Sequence, residues 1–144
     1  MPGYIFDSSA IAVILGVKRG EAVRLLRGGA TICLAYYELC NVVWKEAALL
    51  KRVAPREALE TAGHVALILR EMRVEHLTSP EDLRGVLDLA LKTGLTVYDS
   101  SYLYAAKKLG AVLVTEDEEL REAARNCGVE ALSVDQYLDA ARAP

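Results

Sequence analysis

The sequence predicts an α/β domain in which a short parallel sheet is flanked by helices. Three observations support this. Short β-rich runs, Tyr4 to Phe6, Thr31 to Leu34, Val74 to His76, Val112 to Val114 and Glu130 to Leu132, alternate with segments whose apolar residues recur at three- and four-residue spacing. Residues that start and stop helices stand at the boundaries. The 144 residues, 53% hydrophobic and 26% charged, are enough for one domain with a real core, spanning residues 1–144, and no second domain is needed.

In chain order, the first run ends at Asp7, followed by Ser8-Ser9-Ala10 and an apolar stretch from Ala10 to Val17. The second run leads into a helical region from about Tyr36 to Lys51, and Pro55 opens another that reaches about Arg73. Together these read as a helical hairpin inserted between the second and third strands. Its apolar residues, among them Leu39, Val42, Leu49, Leu50, Leu59 and Leu67, leave surface to spare, which suits a partner helix or a homodimer. After the third strand, Ser79-Pro80-Glu81-Asp82 supplies an N-cap and a first-turn proline. Asp99 begins the helix that leads into the fourth strand. Thr115-Glu116-Asp117-Glu118 and Ser133-Val134-Asp135-Gln136 read as capping boxes, while Gly94, Gly110 and Gly128 close periodic stretches. There is no internal repeat or long linker, and only the last few residues look loosely held.

Composition excludes several function classes. The longest apolar stretch, Ala10 to Val17 with Gly16 included, falls well short of the roughly 20 residues that span a bilayer. The opening Met1-Pro2-Gly3-Tyr4-Ile5-Phe6-Asp7 has no basic leader and carries an acid within its apolar run, so no secretory signal is visible and the chain reads as cytoplasmic. Cys33, Cys40 and Cys127 suit buried thiols in a reducing compartment, and sequence alone does not license a bridge between the first two. There is no Cys/His zinc spacing, and neither His64 nor His76 has a second His nearby in sequence. A formal charge of -3 argues against coating nucleic acid by bulk electrostatics, so any such contact must be local.

Four acids stand out by position. In an open parallel sheet, ligands bind outside the carboxyl ends of the strands. Asp7 ends the first strand, Glu38 lies in the first turn of the helix after the second, and Asp117 follows the fourth. Asp99 starts a helix that runs antiparallel to the fourth strand, which brings it to the same edge. Like charges about 6 Å apart repel by roughly 3 kcal/mol at an effective dielectric of about 20. Either some of the acids protonate or a divalent cation sits among them. Taken singly, each acid reads more readily as a helix cap, because unpaired N–H groups and the helix dipole favour Asp and Glu there. Only their joint placement raises the metal reading above the cap.

Four segments in this order resemble the PIN domain, specifically the VapC-type toxin ribonucleases, over nearly the whole chain: Ile5-Phe6-Asp7-Ser8-Ser9-Ala10, Tyr36-Tyr37-Glu38-Leu39-Cys40-Asn41, Thr96 to Ala106, and Val112 to Leu120. The resemblance implies a three-layer α/β/α sandwich around a short central parallel sheet, with an acidic pocket that binds Mg2+ or Mn2+ and cleaves RNA. By position it implies Asp7, Glu38, Asp99 and Asp117 as the metal-binding and catalytic set, with Ser9 and Thr115 as polar neighbours that orient carboxylates. Glu116, Glu118 and Glu119 crowd the same turn as Asp117, which the family's Thr-x-Asp spacing favours. The implied chemistry is in-line attack by metal-activated water, leaving a 5'-phosphate and a 3'-hydroxyl. The implied partners are an RNA substrate, a cognate antitoxin whose tail covers the groove, and a second copy of the chain.

The remaining polar residues read mostly as structural. The basic residues Lys18, Arg19, Arg24, Arg27, Lys45, Lys51, Arg52, Lys107 and Lys108 suit solvated helix faces. Tyr36, Tyr37, Tyr98, Tyr102 and Tyr104 flank the acidic motifs, with Tyr37 or Tyr102 the candidates to stack on an unpaired base, and Trp44 reads as core. Three alternatives stand beside the ribonuclease: a catalytically inactive PIN-like module that binds RNA or protein, a DNA nuclease with the same site, and a receiver-type phosphotransfer domain. The last wants an acceptor Asp after a central strand and a Lys near it.

Overall fold

The apolar runs pair side by side in the computed structural model, which describes residues 3–142. Five strands, β1 (Tyr4–Phe6), β2 (Ala30–Ile32), β3 (Arg73–Glu75), β4 (Val112–Val114) and β5 (Ala131–Leu132), form one parallel sheet in the order β3-β2-β1-β4-β5. β1 is central and in register with β4 through Ile5↔Leu113 and Phe6↔Val114. A receiver-type domain would instead have the order 2-1-3-4-5.

Eight α-helices among the described residues cover the two faces: α1 (Ser8–Val17), α2 (Ala22–Leu26), α3 (Leu34–Trp44), α4 (Pro55–Leu69), α5 (Pro80–Thr93), α6 (Val97–Leu109), α7 (Glu118–Asn126) and α8 (Val134–Arg142). The layers follow from strand alternation, since neighbouring side chains on a strand point to opposite faces. Ile5, Ile32 and Leu113 pack with Leu89 of α5, Tyr102 and Leu103 of α6, and Leu120 of α7. Phe6 and Val114 pack on the other face with Ile11, Leu26, Leu39, Leu69 and Leu138, from α1, α2, α3, α4 and α8. This is the expected three-layer sandwich.

Local signals set most element ends. Ser79 caps α5 by accepting from the Asp82 N–H, and Gly94 and Gly110 end α5 and α6 in the left-handed conformation that glycine adopts without steric penalty. Ser133 and Gln136 form a reciprocal capping box on α8. Other boundaries differ from the sequence reading. The backbone already turns helical at Cys33 (φ -55°, ψ -31°), so β2 stops at Ile32 and α3 begins earlier than Tyr36. α3 continues into a π-helical turn, Lys45–Leu49, and α4 ends at Leu69, which frees Arg73 to pair in β3. The 3₁₀ turn Arg19–Glu21 and α2 carry no strong sequence signal and are held by the burial of Ala22, Leu25 and Leu26.

Two expectations about soft residues are corrected. Trp44 is 53% exposed, because it lines an open groove between the end of α3 and Pro55, Ala58 and Leu59 of α4 instead of packing in the core. Cys40 is exposed and Cys33 and Cys127 are half-buried, so none is a buried thiol. Cys33 and Cys40 stand two turns apart on one helix, about 10 Å along its axis, beyond disulfide reach. No helix among the described residues is long and apolar enough to cross a membrane. The readings of a missing leader at Met1-Pro2 and of loosely held final residues fall partly on positions 1, 2, 143 and 144, outside the described residues.

Candidate active site

The order of the sheet reverses beside β1: the chain passes outward to β2 and β3, then returns across to β4 on the other side. The carboxyl ends of β1 and β4 therefore flank a topological switch point, where α/β sheets open a crevice for ligands. Asp7 stands there, its N–H bonded to the Val114 carbonyl at 3.1 Å. Its carboxylate is buried, and both of its oxygens accept hydrogen bonds while Oδ2 keeps a lone pair free. Oδ1 accepts from Ser9 Oγ at 2.7 Å and from the Ala10 N–H at 2.9 Å, while Oδ2 accepts from the fully buried Thr115 hydroxyl. Burial raises the Asp7 carboxyl above its ordinary pKa; the bonds from Ser9, Thr115 and Ala10 oppose the rise, and the Asp99 charge adds to it. Asp7 is thus both the N-cap of α1 and part of an acidic group.

Glu38 lies in the second turn of α3, not the first, because that helix opens at Leu34. Its Oε1 accepts from the Tyr102 hydroxyl at 2.7 Å. Burial, then the Glu38 carboxylate, push the Tyr102 phenol above its ordinary pKa. Asp99 occupies the first turn of α6, where its N–H donates to Thr96 Oγ1 at 3.2 Å. Burial raises its carboxyl, followed by the charges of Asp117, Glu38 and Glu119. The leading charged neighbours of Asp99 are thus anions.

Asp117, rather than Thr115, is the N-cap of α7, its Oδ1 accepting from the Glu119 and Leu120 N–H groups at 3.0 and 3.3 Å. The crowded turn around it also resolves. Glu116 Oε1 accepts from the Val134 N–H at 2.7 Å and so caps α8, and Glu118 pairs with Arg121. Glu119 bears on Asp99 by charge. Arg121, which sequence reasoning missed, donates to the Thr115 carbonyl at 2.7 Å and anchors the turn. The Tyr102 contact was missed too, although Asp99-x-x-Tyr102 is the spacing that puts two side chains on one helix face.

The four sequence-selected acids therefore converge at one edge, with Ser9 and Thr115 on Asp7. Among the described residues no three Asp, Glu, His or Cys side chains lie close enough to enclose an ion as they stand. The donor chemistry nevertheless fits a hard cation: oxygen ligands only, net negative, mutually repelling. Of the flanking aromatics, Tyr102 is 1% exposed and cannot stack on a base, whereas Tyr37 is 72% exposed. Several basic residues are paired on the surface, Arg24 with Glu21, Arg27 with Glu71 and Arg52 with Glu46, as solvated faces predict.

Comparison with known proteins agrees with this architecture. Residues 4–126 match the PIN domain. The chain is 34% identical over 122 residues to exonuclease VapC9 of Pyrobaculum aerophilum, covering 81% of this chain and 82% of that protein. It is 34% identical over 125 residues to ribonuclease VapC3 of the same organism, covering 82% and 92%. Its fold superposes on the crystal structure of PAE2754 from Pyrobaculum aerophilum with a TM-score of 0.80, at 31% identity over 99% of this chain and 98% of that one. FitAcB from Neisseria gonorrhoeae shares the fold alone, with a TM-score of 0.61 at 14% identity over 91% and 97%. The five-stranded parallel sheet, the PIN match over residues 4–126 and the 34% identity to two VapC proteins place the chain in the PIN domain family, among its VapC-type members.

Proposed function

We propose that the chain is a metal-dependent endoribonuclease, a single PIN domain over residues 1–144, acting in the cytoplasm as the toxin of a VapBC-type pair. One observation carries the reading: at the switch point of the sheet the buried Asp7 carboxylate is held by the Ser9 and Thr115 hydroxyls, and the first turn of α6 brings Asp99 to the same edge, where Asp117, Glu38 and Glu119 bear on it as like charges. Such a pocket is costly unless a cation neutralises it. Asp7, Glu38, Asp99 and Asp117 would hold Mg2+ or Mn2+, and Ser9 and Thr115 keep Asp7 oriented toward it. A cation held there would lower the pKa of a water and offset charge on the phosphoryl oxygens. The acids orient that chemistry beside the scissile phosphate, and hydrolysis leaves a 5'-phosphate and a 3'-hydroxyl. The nuclease names of the two VapC relatives support phosphodiester hydrolysis, and the ribonuclease name of VapC3 supports RNA as the substrate. A cognate antitoxin and a second copy of the chain are the expected protein partners.

The test is cleavage of labelled linear RNA, circular RNA and single-stranded DNA with Mg2+, Mn2+ or EDTA, comparing wild type with Asp7→Asn. Metal-dependent cutting of both RNAs, lost in the variant, is expected. Circular RNA left intact would make the enzyme an exonuclease, and cutting of DNA alone would change the substrate class. Each acid also serves as a cap or stands in a first or second helical turn, which favours one second reading, an inactive PIN-like module that binds RNA or protein. RNA binding insensitive to EDTA, with no cleavage, would establish it.

A further inference from the structure

Glu38 and Asp99 belong to different layers of the sandwich. α3 packs on the Phe6 face of the sheet and α6 on the Ile5 face, so their acids meet only at the sheet edge. Glu38 is half-buried on a flexible side chain and bears a charge that Asp99 repels. Left alone, it would swing toward water. We propose that Tyr102 is the positioning residue that holds the Glu38 carboxylate in the acidic pocket, a role that rests on the metal-site reading above.

The geometry supplies what such a role needs. The Tyr102 ring is 1% exposed among the core residues of the α6 layer, so its hydroxyl projects from a fixed base. That hydroxyl crosses to the other layer and donates to Glu38 Oε1 at 2.7 Å. A phenol is a neutral donor, so it restrains the carboxylate without cancelling the charge a cation needs. One side chain thereby links the helices that carry Glu38 and Asp99. Groups that orient metal-binding side chains typically change metal affinity or activity by about 10- to 100-fold when removed.

The experiment compares wild type, Tyr102→Phe, Glu38→Ala and the double variant by Mn2+ titration calorimetry without RNA, by urea unfolding without metal, and by RNA cleavage. Tyr102→Phe keeps the ring and the core, so its urea midpoint should stay near that of wild type. Its Mn2+ dissociation constant should rise about 10- to 100-fold. The cleavage kcat should fall at limiting Mn2+ and recover at excess, with KM for RNA unchanged. In the Glu38→Ala background, Tyr102→Phe should have no further effect on Mn2+ affinity. Wild-type Mn2+ affinity in folded Tyr102→Phe, or an equal loss in the Glu38→Ala background, would reduce Tyr102 to core packing while leaving the nuclease reading intact. A wild type that neither binds Mn2+ nor cuts would overturn both. If the Phe variant does not fold, 3-fluorotyrosine at position 102 replaces it: its fluorine resonance should move on adding Mg2+, and should not in Glu38→Gln. An unmoved resonance in the otherwise wild-type protein that still binds Mg2+ would overturn the proposal.

Discussion

In the proposed metal site, Asp99 is the side chain whose charge would work against the stability of the fold. Its carboxyl is raised first by burial and then by Asp117, Glu38 and Glu119, so the charged form destabilises the metal-free fold. Asp99→Asn should therefore stabilise the metal-free protein at pH 7 by about 1 kcal/mol or less, the size of a solvent-screened charge interaction. The sign reverses with acid. A carboxyl whose folded pKa is raised binds its proton more tightly folded than unfolded, so wild type gains on the variant as pH falls through the raised pKa, and the gap closes. Thermal melts from pH 7 down to about pH 4 check this. Added Mn2+ should raise the melting temperature of wild type and not that of Asp99→Asn; a variant less stable than wild type without metal would mean that Asp99 acts as a structural cap alone.

At the scale of elements, the question is what holds α6, which carries both Asp99 and Tyr102. α5 does so through Asp82, a nearly buried carboxylate that accepts from Tyr104 at 2.9 Å and from Lys108 Nζ at 3.1 Å, both on α6. Gly85 permits the approach, since a Cβ there would stand 2.2 Å from Tyr104 Cε1. Lys108 and Tyr104 hold the Asp82 carboxyl down at about 2, below its model-compound value of 3.8. A depressed carboxyl contributes stability that is present above its unfolded pKa and lost as pH falls toward the folded one. Asp82→Asn should thus melt lower than wild type at pH 7, with the difference shrinking between about pH 4 and pH 2. A constant difference across that range would show that the ion pair contributes nothing.

For the whole molecule, the surface that stays apolar is where the proposed second copy of the chain would dock. Leu83, Leu87 and Leu91 recur every four residues along α5 and are 57%, 52% and 77% exposed, and in the other layer the α3–α4 hairpin exposes Trp44 and Leu59. Light scattering should give the mass of a dimer for wild type and of a monomer for Leu87→Glu. A wild-type monomer at high concentration would remove the homodimer.

How much was legible in the sequence divides by the range of the interaction. Helix caps at Ser79, Ser133 and Gly110, the strand runs, and the placement of Asp7 and Asp117 after strands depend on residues within a turn of one another, so periodicity and capping chemistry determine them. The same short-range rules also assigned Thr115 to a cap and Trp44 to the core, and there they failed. Thr115 turns its hydroxyl to Asp7, 108 positions away, and Tyr102 reaches Glu38 across 64. Those partners exist only because β4 pairs beside β1 and because the two helical layers meet at one sheet edge. Which acids the chain carries, and after which strands, was written in its local pattern; that they face one another, and which hydroxyls hold them there, was decided by the packing of distant segments.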